Sequence, residues 1–99
     1  MALKTIWSLE AEETFESVID YLEEKWTEKE VRNFIRKTNS LIKQIEKHPY
    51  QYKSSSFHQI RKAVITKHNS LIYHVNEKAE QIELYTFWDN RKDPSKFNY

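Results

Sequence analysis

The chain has 99 residues, enough for one compact domain, and it contains neither glycine nor cysteine. The first absence excludes the glycine-rich phosphate loops of P-loop and Rossmann enzymes; the second excludes disulfides and thiolate metal sites. Net charge is only +1, but residues 47–75 carry five Lys or Arg and no acid, an asymmetry that suits an anionic partner.

In chain order, the opening MALKTIWSLEAEE has two acids in its first twelve residues and no uninterrupted apolar core. It does not read as a signal peptide, and no apolar run approaches the ~20 residues that span a membrane. A cytoplasmic location without membrane attachment is therefore expected. Leu3, Thr5 and Trp7 alternate with Lys4 and Ile6, which predicts a short edge or parallel strand. Ser8 stands where a helix N-cap belongs, with Glu10, Glu12 and Glu13 in the following turn. Ala11, Phe15, Ile19, Leu22 and Trp26 then recur at helical spacing, predicting a helix over residues 10–26 with these five on its buried stripe. Thr27 and Glu30 have capping-box spacing. Val31, Phe34, Ile35, Thr38, Leu41, Ile42 and Ile45 form the stripe of a second helix, which His48-Pro49 ends.

Residues 50–57 are a polar, serine-rich loop. Three strands are predicted after it, over residues 59–67, 70–76 and 81–89, because β-branched and aromatic residues dominate and alternate there. On strict alternation, Leu71, Tyr73 and Val75 share a face, as do Ile82, Leu84, Thr86 and Trp88. His68-Asn69 and Asn76-Glu77-Lys78 are the expected hairpin links, with Asn accepting the positive φ for which no glycine is available. Residues 90–99 read as an irregular polar tail. The order β-α-α-β-β-β predicts an α+β fold, a single domain over residues 1–99. In it an amphipathic helical hairpin packs on one side of a curved, mainly antiparallel sheet.

The strings IRKAVITKHNSLIYHVNE (residues 60–77) and IELYTFWDNRKDP (residues 82–94) resemble the C-terminal half of RelE/ParE toxins. The run containing Trp7, Ala11, Ile19, Tyr21 and Leu22 resembles their N-terminal part, so the likeness covers about residues 3–96. It implies a β-α-α-β-β-β fold and the toxin role in a type II toxin–antitoxin (plasmid stabilisation) pair. Such a toxin inhibits growth until a cognate antitoxin protein binds it. RelE-like members cut ribosome-bound mRNA, whereas ParE-like members act on DNA gyrase.

Within this resemblance, Arg61 and Arg91 match basic positions of the RNA-cleaving branch. Ala63, Ser70 and Phe97 stand where that branch carries Lys, Arg and Tyr, so three of five expected groups are missing. Neither Ala63 nor Phe97 has a proton to transfer, and Ser70 carries no charge. The departures favour a ParE-like gyrase poison that is not itself an enzyme. One alternative is an endoribonuclease using Arg61, His68 and Arg91. The other is a non-toxic binding module on the same fold. Arg61, Lys62, Lys67, His74, Trp88 and Arg91 are the candidates for contact with target or antitoxin; Trp88 also reads as a packed strand residue, and Arg91 as a partner of Asp89 or Asp93. His48, His58, His68 and His74 lack metal-ligand spacing, and no cofactor is expected.

Overall fold

The computed structural model describes residues 3–55 and 60–92. It contains β1 (Lys4–Trp7), α1 (Leu9–Lys25), α2 (Glu28–Lys47), β2 (Arg61–Val64), β3 (Asn69–Asn76) and β4 (Gln81–Asp89). The sheet order is β1-β4-β3-β2, with β1 parallel to β4 and the other pairs antiparallel. The predicted element order is thus observed, and the first strand is both an edge strand and a parallel one.

Ser8 makes the passage from β1 into α1. Its Oγ accepts from the Ala11 amide (2.9 Å) and donates to the Tyr85 carbonyl (2.9 Å), capping the helix and tying it to β4 at once. β1 pairs only with Gln81–Leu84, so the rest of that edge of β4 needs other cover. Thr14 on α1 supplies part of it, accepting from the Phe87 amide at 2.9 Å. Ala11, Phe15, Ile19 and Leu22 pack into or against the core as expected. Trp26 does not: it lies past the last helical residue in extended backbone, which takes its side chain off the stripe and leaves it 56% exposed. Nor does the capping box form. The Thr27 side chain makes no cap bond, and the Glu30 and Val31 amides bond to the Thr27 carbonyl instead.

The core lies between the helices and one sheet face. Trp7, Phe15, Phe34 and Phe87 form a ring cluster, with Phe15 and Phe87 centroids 5.1 Å apart. Ile45, Ala63, Leu71, Tyr73, Ile82 and Leu84 are fully buried with it. Strict alternation fails on β4. Ile72 pairs with Thr86 and Tyr73 with Leu84, leaving Tyr85 as an extra residue in a bulge. Beyond it the facing inverts: Phe87 joins Ile82 and Leu84 in the core, and Trp88 lies opposite Ser70 on the other face. The reading of Trp88 as a companion of Leu84 is corrected accordingly.

The links also differ from expectation. The β2–β3 link is residues 65–68, organised by Thr66, whose hydroxyl accepts from the His68 and Asn69 amides (3.2 Å each). This shortens β2 relative to the predicted residues 59–67, of which Gln59 lies outside the described residues. In the β3–β4 link, Asn76 contributes its side chain, which accepts from the Ala79 amide at 3.1 Å. The positive φ falls on Glu80 (55°) rather than on Asn. Of the predicted tail, residues 93–99 lie outside the described residues.

Candidate partner-binding groove

A groove of about 590 Å³ opens between the helical hairpin and the end of the sheet where β3 begins and β4 ends. Buried Phe34 and Phe87 line its base, and Tyr21, Trp26, His68 and Arg91 line it nearer the surface. The rim is cationic through Lys37 and Lys92 and acidic through Glu30 and Asp89. Tyr21 and Trp26 are exposed aromatics, a residue type over-represented where proteins dock.

Arg91 is the most constrained charge here. Its Nε and one Nη each donate to a different Asp89 oxygen at 3.0 Å, and its backbone amide donates to Asp89 Oδ1 at 2.9 Å. The guanidinium also lies 5.5 Å from the centroid of the Tyr21 ring. Hydrogen bonding to Arg91 holds the Asp89 carboxyl below its usual range, and the same guanidinium lowers the Tyr21 phenol. Asp89 in turn favours the charged form of Arg91 further.

Asn90 fixes the turn that carries His68. Its amide donates to the His68 carbonyl (2.8 Å), its side-chain nitrogen to the Lys67 carbonyl (3.3 Å), and its Oδ1 accepts from buried Ser70 (2.8 Å). Lys67 and His68 are exposed in the turn so held.

Arg61 is elsewhere. It pairs with Tyr73 on the helix side, toward the far end of β3. There it donates to the carbonyls of Tyr52 (2.6 Å) and Tyr50 (3.3 Å) and lies 5.0 Å from the centroid of the Tyr50 ring. Tyr50 donates to Glu77, which raises the phenol above its usual value. Tyr50, Arg61, Glu77 and His74 line a second, smaller cleft of about 300 Å³. His74 Nδ1 lies 3.2 Å from Glu83, which also accepts from Asn76. Lys62 is exposed on β2, opposite Ile72 on the face away from the helices. Trp88 is on that face too, with the Lys92 ammonium 5.5 Å from its ring centroid. The geometry therefore brings His68 and Arg91 to one groove and leaves Arg61, Lys62 and His74 outside it.

No protein-family model and no curated protein sequence matches the chain. Among solved structures, a YoeB/ParE toxin from Agrobacterium tumefaciens superposes with a TM-score of 0.68 at 15% identity, over 89% of this chain and 99% of that one. The chain has a RelE/ParE toxin fold. On this fold, two positions that depart from the RNA-cleaving pattern are built into the structure. Ala63 is fully buried in the core, and Ser70 is the buried donor to Asn90. The third, Phe97, lies outside the described residues. Among the described residues, no helix is long and apolar enough to cross a membrane.

Sequence reasoning passed over Tyr21 and Lys37 as parts of the groove, and Asn90 as the residue that holds the turn beside it. Thr14, Val18 and Tyr21 run along one flank of α1 at helical spacing, as do Glu30, Asn33 and Lys37 on α2. Those flanks were legible as stripes, but not as the helical side of a groove.

Proposed function

We propose that this chain is the toxin of a toxin–antitoxin pair, acting in the cytoplasm and neutralised by an acidic antitoxin. On this reading it inhibits growth by ParE-like contact with DNA gyrase and performs no catalysis of its own. The reading rests on one observation above all: Arg61, needed beside His68 and Arg91 for RNA cleavage, has its guanidinium on two loop carbonyls outside the groove. Cleavage by the 2′-hydroxyl needs cations converging on one phosphate, and here the second arginine is matched by Asp89.

The test is induced expression in a sensitive bacterium, scored for the DNA-damage response against translation shut-off, followed by supercoiling assays with purified gyrase. Growth arrest with a damage response and inhibited gyrase is the expected outcome. Codon-specific cleavage of ribosome-bound mRNA with gyrase unaffected overturns the ParE-like part. Unimpaired growth with folded protein present overturns the toxin reading and leaves a binding module.

A second reading is motivated by the lowered Tyr21 phenol in the same groove as His68 and Arg91. Such a trio supplies a proton-transfer group beside a cation, as an endoribonuclease requires. No mRNA cleavage by the parent would remove it, and cleavage retained in both Tyr21→Phe and His68→Ala would take these two residues out of the site.

A further inference from the structure

We infer that Asp89 occupies, in the free protein, the seat of a carboxylate that an acidic, apolar segment of a partner protein brings to Arg91. The inference rests on the groove being the partner-binding surface and identifies what is recognised there. The fork of Arg91 is filled by both oxygens of one carboxylate, the geometry by which a guanidinium reads an acid. The pair is partly exposed, 52% for the Arg91 side chain and 30% for Asp89. The pair is bidentate, but its exposure lets solvent and a competing carboxylate reach it, so an acid delivered together with apolar contacts can replace Asp89.

The guanidinium would stay in place during the exchange. Tyr21 lies against it from α1, independently of Asp89. The floor beside it is Phe34 and Phe87, with Trp26 exposed at the hairpin tip, so the occupant needs apolar side chains as well as an acid. A phosphodiester strand fits less well. It carries a charge on every unit and would meet Glu30 and Asp89 on the rim, whereas a peptide can space its acids to reach Arg91, Lys37 and Lys92. An apolar segment with acids set apart is the complementary chemistry.

The sign of the predicted effect is unusual: removing a charged groove residue improves binding. Titrate the parent, Asp89→Asn, Arg91→Ala and the double variant with a short fluorescein-labelled peptide of alternating leucine and glutamate, and in parallel with a labelled single-stranded oligonucleotide of equal charge. Asp89→Asn should bind the peptide about threefold to tenfold more tightly than the parent, and the gain should vanish when Arg91 is also replaced. Four results overturn the inference: no gain or no peptide binding in either protein, a gain that survives Arg91→Ala, an equal gain from Glu30→Gln, or a larger gain for the oligonucleotide than for the peptide. Circular dichroism confirms that each variant is folded. Growth arrest by the parent is scored separately, so failure here leaves the toxin reading standing, and loss of toxicity alone leaves this inference standing.

Discussion

Two arginines lie toward opposite ends of the sheet, each over a tyrosine ring with a carboxylate nearby, and they are held differently. Arg61 spends its donors on the carbonyls of Tyr50 and Tyr52, while Glu77 takes the Tyr50 hydroxyl. Arg91 spends its donors on the carboxylate itself. Backbone carbonyls cannot leave without unfolding the loop that bears them; a side-chain carboxylate can rotate away. The Arg61 end is therefore a staple and the Arg91 end an exchangeable contact. The tyrosines record the same contrast, since Glu77 raises Tyr50 and Arg91 lowers Tyr21.

The sharpest way to test whether the groove end is rigid below its exchangeable rim is Phe87→Ala. Phe87 belongs to the buried ring cluster, and its truncation should cost about 3–5 kcal/mol of stability by denaturant unfolding, enough to threaten a small domain. A cost equal to that of Trp88→Ala would break the bulged register. Next in size, Arg61→Ala should cost roughly 2 kcal/mol, because two charge-assisted bonds are lost and loop carbonyls are freed. Arg91→Ala should leave the unfolding midpoint close to the parent's while altering partner binding. Equal destabilisation by the two would erase the distinction between staple and exchangeable contact.

Glu80 lies in the link joining β3 and β4, beyond the cleft end, and has φ 55° without being glycine. Left-handed backbone costs a side-chain-bearing residue about 1 kcal/mol or more. Glu80→Gly should therefore raise stability by roughly 0.5–1 kcal/mol, despite glycine's greater freedom when unfolded. An Asn76→Ala loss larger than this gain would place the turn's strain elsewhere. The smallest effect is titration of Asp89. Its folded carboxyl lies below the usual range, so the unfolded chain binds the proton more readily. Its contribution is present above about pH 4 and is lost as pH falls through the lower folded value. Comparing parent and Asp89→Asn over that window should show a slightly steeper acid loss in the parent. Identical slopes would mean that the Arg91 contact adds nothing in solution.

The elements were legible from local signals: the α1 and α2 stripes, the alternation of β3, the β-branched and aromatic residues of β4, and Ser8 at the helix start. What was not legible depends on single residues without a compositional signal. The extra residue at Tyr85 has the same chemistry as its neighbours, yet it exchanges the roles of Phe87 and Trp88. Trp26 keeps helical spacing from Leu22, but the helix ends one residue sooner. Asn90 read as tail, because its partners Ser70, Lys67 and His68 reach it only when β3 lies beside β4. Arg61 and Arg91 were both recognisable as charges. Which of them faces a backbone and which a side chain is decided by the loop and the turn they meet.

The pairing of Lys4–Trp7 with Gln81–Leu84 joins the first strand to the last. That closure spans nearly the whole polypeptide, a topology that slows assembly. During synthesis the helices emerge before the strand that completes the sheet, so the nascent chain lacks its finished surface until β4 has been made. Phe87 and Asp89, which line the groove, belong to that last strand, so the groove forms only after both helices exist.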